Sequence, residues 1–386
     1  MKKHKTIIIV LLTLAVLALS GLLFIRFRPA PAAPTPTLTP VAEATPSPSP
    51  TPAPTPEPTP EFFVLSMVGD CTLAPSQFND HYNQMLKGDM AHPFAGTSDY
   101  FLDDYLTVAN LECSFSDNEL RGHTTFWFVS PTSYTEILTL GGIDFVTRAN
   151  NHTDDFGEDG PVDTAAALDA AKVSHAGPNE SFVFKTGDGI SVGLYCPRWT
   201  ATQTEVVSGV SALSAREDVD LVVCCMHWGI EGSYRVTEGQ AALGHAAIDA
   251  GADIVYGSHP HVLQKIEEYG GGYIFNSLGN YSFGGNTNPR DRDTAIVQVS
   301  VKRDTDGSVS LAGYTAIPCC LSSTPGVNDY RPVPYGEEAP EWERAMSKLD
   351  GSWTGPDLTI DYSYYHKDDK PSDTSATAPS DTAVPG

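Results

Sequence analysis

Three short, mainly apolar runs in this chain each end in a side chain with a lone pair to offer, and no other feature constrains the fold as much. Val219–Cys225 leads to His227, Ala252–Tyr256 leads into Gly257-Ser258-His259-Pro260-His261, and Ile143–Val146 leads to Asn150-Asn151-His152. Short apolar runs of this kind are the pattern of strands buried on both faces of a parallel sheet, and such sheets present their functional groups at the carboxyl ends of the strands. Two imidazoles one residue apart, as in His259 and His261, can reach a metal together from an extended segment. Any one of these histidines alone reads better as a satisfied loop residue. Three deliveries of Asn and His in one chain point to a shared centre.

Around these runs the pattern alternates strands with longer helical or irregular stretches. Phe62–Val68 is expected as a strand ending at Gly69-Asp70, Leu106–Ala109 as one ending at Asn110-Leu111-Glu112, and Pro161 opens an Ala-rich helix through Lys172. Phe182–Lys185 and Ile190–Tyr195, joined by Thr-Gly-Asp-Gly, form a hairpin pattern. Helix Gln240–Ala250 and strands Tyr273–Phe275, Ala295–Val301 and Ser310–Ile317 complete a mixed α/β domain, favouring a two-sheet sandwich flanked by helices over one wound sheet.

The ends differ in kind. Residues 1–28 hold basic Lys2, Lys3 and Lys5 followed by Thr6–Ile25, a charge-free apolar run of 20 residues, enough for roughly 30 Å of helix. A cleaved signal peptide has a shorter apolar core, so an uncleaved membrane anchor with a cytoplasmic N-terminus is expected, placing the rest outside the cytoplasm. Residues 29–60, rich in Pro and Thr, cannot bury a core and read as an extended stalk. The folded domain is expected over 61–335, followed by an extension, 336–386, disordered from 367. Beyond Arg28 the chain carries 18 Lys and Arg against 48 Asp and Glu, a net of −30. That charge repels nucleic acid, so none is expected as a partner, and it opposes tight binding of long polyanions. The seven cysteines are odd in number, so at least one is free or paired with another chain. Cys224-Cys225 and Cys319-Cys320 read as core residues pointing to opposite faces, and no Cys-x-x-Cys spacing suggests a zinc cluster.

Six motifs stand in order between roughly Phe63 and Phe283: Gly69-Asp70; Asn110-Leu111-Glu112; Ala149-Asn150-Asn151-His152 with Asp155-Phe156-Gly157; His227-Trp228-Gly229 followed by Glu231; Gly251-Ala252-Asp253 through Gly257-Ser258-His259-Pro260-His261-Val262; and Ser277-Leu278-Gly279-Asn280-Tyr281. In this set and order the chain resembles the poly-γ-glutamate capsule biosynthesis protein CapA family, a branch of the calcineurin-like metallophosphoesterase superfamily. The resemblance implies a four-layer α/β/β/α sandwich, preceded here by the transmembrane helix and stalk, with a dinuclear metal site at the strand ends. It implies Asp70, Glu112, Asn151, His227, His259 and His261 as metal ligands, with Glu112 in the bridging place, and His152 as general acid with Asp155 orienting it. Such a nitrogen and oxygen set suits one or two divalent ions, Mn, Fe or Zn. The superfamily's first motif is Asp-x-His, whereas Cys71-Thr72 follow Asp70 here, so one imidazole is absent. The bridging carboxylate is also one methylene longer.

Four further residues are candidates around the centre. Glu231 reads as a carboxylate fixing an imidazole or as a surface acid, and Asn280 as a substrate contact or a turn residue. Arg148 and Arg198 are the cations nearest the motifs in sequence, placed to hold an anion or to form ion pairs. Trp127 and Trp228 read as core residues or pocket walls. The expected function is a membrane-anchored extracytoplasmic hydrolase acting on a phosphoester or amide in a cell-surface polymer or its precursor, with other capsule synthesis or export membrane proteins as partners. The alternatives are a non-catalytic scaffold of an export complex and a nucleotidase or nucleic-acid phosphodiesterase, the last reading opposed by the acidic charge.

Overall fold

Strands form where the apolar runs predict them, and they assemble into two large sheets and one small two-stranded sheet, Ser114–Phe115 with Val129–Ser130. The computed structural model describes residues 59–119 and 122–360; the expected membrane anchor, the stalk as far as residue 58 and the tail from residue 361 lie outside the described residues. Among the described residues no helix is long and apolar enough to cross a membrane. In chain order the strands are β1 (Glu61–Thr72), β2 (Leu106–Leu111), β3 (Ser114–Phe115), β4 (Val129–Ser130), β5 (Phe145–Thr147) and β6 (Ser174–Ala176). A hairpin of β7 (Glu180–Phe184) and β8 (Val192–Cys196) precedes β9 (Leu221–His227), β10 (Ile254–Ser258), β11 (Ile266–Tyr269) and β12 (Gly272–Phe275). The series closes with β13 (Asn280–Phe283), β14 (Asp293–Arg303), β15 (Val309–Cys320) and β16 (Val333–Pro334).

One sheet runs β16-β15-β14-β1-β2-β5-β6, with β13 added against β1; the other runs β11-β12-β10-β9-β8-β7. Strands β1, β2, β5 and β6 are mutually parallel, as are β8, β9, β10 and β12, so each sheet brings several carboxyl ends to one edge. Between the sheets Leu65, Met67, Val108 and Phe145 pack with Leu194, Val223, Ile254 and Tyr256. Fully burying side chains of this size stabilises by roughly 1.5–3 kcal/mol each. The outer face of the first sheet is covered by helices Thr135–Gly141 and Asp159–Ala171, through Ile137, Leu138, Ala167 and Leu168. Helices Gln203–Ser214 and Glu238–Asp249 cover the second through Val206, Val210, Ala247 and Ile248. The layers are therefore helix, sheet, sheet, helix.

Period-two alternation sorts neighbours between layers. Cys224 lies in the outer core and Cys225 between the sheets. All seven cysteines are free, and only Cys320 is not fully buried. Strand β1 continues past Val68, so Gly69 and Asp70 sit inside the strand and not in a turn after it. The reason is a close approach: a Cβ at position 69 would stand 2.1 Å from the Gly279 carbonyl oxygen, the atom that accepts a hydrogen bond from the Asp70 N–H at 2.8 Å.

A helix that the apolar pattern did not reveal, Pro340–Leu349, packs on β14 and β15 and puts Ala345 and Leu349 into the intersheet core. Beside it lies a buried ion cluster. Lys348 Nζ donates to Asp291 Oδ2 and Asp293 Oδ2, each at 2.7 Å. Arg344 donates to both oxygens of Asp293 at 2.7 and 2.9 Å, and the Tyr335 and Tyr234 hydroxyls donate to Asp293 and Asp291.

Candidate metal centre

The carboxyl ends of β1, β2, β9 and β10 and the loop after β5 meet at one edge of the sandwich. Asp70 on β1 is in register with Asn110 on β2 and with Asn280 on β13, while His227 ends β9 opposite Ser258, the last residue of β10. The chain then turns through His259 and His261, whose φ angles of 97° and 56° are left-handed. Such a backbone costs of order 1–3 kcal/mol per non-glycine residue and persists where the surroundings enforce it. Here the His259 N–H donates to Asp70 Oδ2 at 3.2 Å and the Pro260 carbonyl accepts from the Gly232 N–H at 2.8 Å.

Glu112 is fully buried, and three imidazole Nε2 atoms converge on its Oε1: His227 at 3.7 Å, His261 at 3.9 Å and His152 at 4.0 Å. All three separations are too long for hydrogen bonds, and those of His227 and His261 match two metal–ligand bonds of about 2.1 Å, which span about 4 Å. His227 is fixed on both sides, its Nε2 2.7 Å from Asn151 Oδ1 and its Nδ1 2.9 Å from Ser258 Oγ. His261 Nδ1 stands 3.2 Å from Asp70 Oδ2 without hydrogen-bond alignment. Three overlapping sets have ligand atoms within 4.8 Å of one another: Asp70, Glu112 and His261; Glu112, His227 and His259; Glu231, His259 and His261.

Four buried atoms of the cluster, Glu112 Oε1, His259 Nδ1, His261 Nδ1 and Asn280 Oδ1, have no hydrogen-bond partner. Buried polar atoms of this kind are costly unless something satisfies them, and all four are ligand-type atoms, so the residues present fit a divalent cation. The electrostatics agree. Burial pushes the Glu112 carboxyl well above its usual range, aided by Asp70. Burial and then neighbouring imidazoles hold His227 well below the ordinary histidine value and bring His259 down to about 4, leaving both neutral and able to bind a metal. Burial alone would lower His261 too, but the Glu112 and Asp70 carboxylates outweigh it and raise it to about 10. These carboxylates favour positive charge beside them.

Behind the cluster His152 Nδ1 lies 2.9 Å from Asp155 Oδ2. Asp155 is buried and itself accepts from Thr124 Oγ1 at 2.9 Å and the Phe128 N–H at 3.3 Å, while the Phe128 ring packs against the His152 ring. The structure thus brings Asp70, Glu112, Asn151, His152, Asp155, His227, Glu231, His259, His261 and Asn280 to one edge. Two arginines are engaged elsewhere. Arg148 follows β5 but its guanidinium donates to His175 Nδ1 at 3.2 Å and to the Pro161 carbonyl at 3.3 Å, beside Glu180. Arg198 pairs with Glu205 at the start of helix Gln203–Ser214. Trp228 is core, its Nε1 donating to the Asn276 carbonyl, and Trp127 packs edge-on against Phe156. Sequence reasoning assigned nothing to Asn110 or Ser258, although each stands on a strand end one or two residues from an expected ligand.

A buried set of carboxylates and imidazoles at the strand ends of a two-sheet α/β sandwich defines the class. Residues 64–284, more than half of the chain, match the bacterial capsule synthesis protein family PGA_cap, and the chain belongs to that family. It is 28% identical over 268 residues to the capsule biosynthesis protein CapA of Bacillus anthracis, covering 63% of this chain and 64% of that protein. It is 28% identical over 239 residues to the PGA biosynthesis protein CapA of Bacillus subtilis, covering 56% and 61%. The match thus spans a little under two thirds of the length of these relatives. A looser likeness in structure, with TM-score 0.39 and 10% identity over 76% of this chain and 63% of the other, is to the NAD nucleotidase of Haemophilus influenzae.

Proposed function

We propose that this protein is a metal-dependent hydrolase of metallophosphoesterase type, held outside the cytoplasm by its N-terminal segment. It acts on a phosphoester or amide in poly-γ-glutamate or another cell-surface polymer, or in its precursor, during synthesis, export or anchoring. Membership of the capsule synthesis family supports the setting, and the unpartnered ligand atoms Glu112 Oε1, His259 Nδ1 and His261 Nδ1 are the observation that carries the chemistry. Asp70, Glu112, Asn151, His227, His259 and His261 would hold one or two Mn, Fe or Zn ions, with Glu231 at hand for His259 and His261. Bound there, such ions supply Lewis-acid polarisation and a water of lowered pKa. Ser258 orients His227 through its Nδ1, and Asp70 braces the His259–His261 turn through the His259 N–H. His152, oriented by Asp155 at 2.9 Å, holds a proton at Nε2 facing Glu112 and gives it to the leaving group.

The test is metal content per chain by mass spectrometry on the full chain and on His259→Ala/His261→Ala, paired with turnover of a generic phosphodiester by wild type and His152→Ala. One or two ions per wild-type chain, lost in the double variant, with turnover abolished but metal kept in His152→Ala, is the expected result. A second reading is a non-catalytic scaffold. Thr72 favours it: standing where the superfamily has its histidine, its hydroxyl donates to the Glu112 carbonyl at 3.2 Å. Bound metal without turnover on phosphoester or amide substrates would select the scaffold.

A further inference from the structure

Asn110 and Asn150 are buried behind the two carboxylates, and the backbone fixes which way their amides point. The His152 N–H can only donate, and it meets Asn150 Oδ1 at 3.1 Å. The Leu111 carbonyl can only accept, and it takes Asn150 Nδ2 at 2.8 Å. The same Nδ2 donates to Asn110 Oδ1 at 3.1 Å. With its oxygen turned to Asn150, Asn110 presents its NH2 to the site, where Nδ2 lies 2.9 Å from Asp70 Oδ1 and 3.3 Å from Glu112 Oε2. That nitrogen also lies 3.5 Å from His227 Nδ1.

An amide NH2 has two hydrogens, so one side chain can bridge two carboxylates that would otherwise repel each other at low dielectric. Each carboxylate then has one oxygen held by the amide. The others, Asp70 Oδ2 and Glu112 Oε1, are the ones that face His261. We propose that Asn110, oriented by Asn150, is the positioning residue of the metal centre: it holds Asp70 and Glu112 side by side and turns one oxygen of each toward the cation. The inference rests on the metal reading given above. It explains how an acidic pair this deeply buried keeps the geometry of a cage without an arginine or lysine among its described contacts.

The full chain in detergent micelles, stripped of metal, is titrated with Mn2+ in competition with a fluorescent chelator, and its Co2+ form is read by visible absorption. Asn110→Leu is expected to raise the Mn2+ dissociation constant about 10–100-fold and to shift the cobalt bands. Asn150→Ala leaves Asn110 and both carboxylates in place but frees the amide to rotate, and is expected to weaken binding toward the lower end of that range. A folded Asn110→Leu with wild-type affinity and unshifted bands overturns the proposal, even if its melting temperature falls, and leaves the metal centre standing. Should Asn110→Leu fail to fold, unchanged affinity and bands in Asn150→Ala overturn it alone. Wild-type protein that binds neither ion overturns both the proposal and the metal reading.

Discussion

Asp291 with Asp293 and Asp70 with Glu112 are two buried acidic clusters among the described residues, and they are completed in different ways. At the helix Pro340–Leu349, Asp291 and Asp293 are answered by Lys348, Arg344 and two tyrosine hydroxyls, so the protein supplies its own counter-charge. At the strand ends, Asp70 and Glu112 are met by an amide and by imidazoles that form no hydrogen bond with them, and four lone-pair atoms stay unpaired. Burial and acidity are common to both, so neither identifies a functional site. What distinguishes the second is convergence of unsatisfied lone pairs on one point, and that asks for a cation from outside.

The largest expected effect breaks the self-sufficient cluster. Lys348→Met leaves buried Asp291 without its cation and is expected to cost about 3–5 kcal/mol in urea unfolding, with metal content unchanged. Metal acts on the other cluster alone: Mn2+ at about 100 times its dissociation constant should raise the unfolding free energy by about 2.7 kcal/mol. EDTA should reverse the gain, and His259→Ala/His261→Ala should show none. The pH dependence sharpens the contrast. Burial alone would raise Asp293, but Arg344 and Lys348 outweigh it and hold its carboxyl below the ordinary value of 3.8. Its contribution is therefore complete above that value and lost as pH falls through the lower folded value. Urea midpoints of wild type and Asp293→Asn should differ most at neutral pH and converge in acid.

The smallest effect concerns an acidic pair with neither remedy. Asp104 and Asp144 stand before β2 and β5, at the opposite end of the strands. Burial raises Asp104 to about 6, with Asp144 adding to it. A carboxyl raised in the folded state destabilises as pH climbs from 3.8 to 6 and does not below that window. Asp104→Asn should then add about 1 kcal/mol at pH 7.5, after discounting for solvent screening, and nothing near pH 3. Denaturation at the two pH values measures the difference.

Much of this was legible in the sequence because strand ends announce themselves. An apolar run followed by His or Asn marks where a buried strand surfaces, and His227, His259, His261 and Asn151 all came from that signal. The hairpin of β7 and β8 was legible from Thr-Gly-Asp-Gly. What escaped depended on lateral register. Ser277–Tyr281 carries no strand pattern, yet β13 pairs with β1 and sets Asn280 opposite Asp70. Arg148 stands two residues from Asn150, but its side chain runs to His175 and the β6 side of the sheet. Asn110 was readable in principle, since it lies two positions before Glu112 on β2. Helix Gln203–Ser214 was not read from the apolar pattern, although its Thr202 and Glu205 capping box made it readable in principle. Helix Pro340–Leu349 begins with Pro but shows few apolar residues, because a buried lysine supplies part of its inward face.

The free thiols bear on how long the protein lasts and not on how it works. Six of the seven are sealed in the core, and Cys224 and Cys225 face different layers. While the fold is closed, an oxidant can reach little more than Cys320. Once the sandwich opens, all seven become competent for random pairing by thiol exchange. Refolding should then be reversible in reductant and blocked in an oxidising medium. In such a medium the working lifetime is set by the rate of opening, a kinetic and not an equilibrium property.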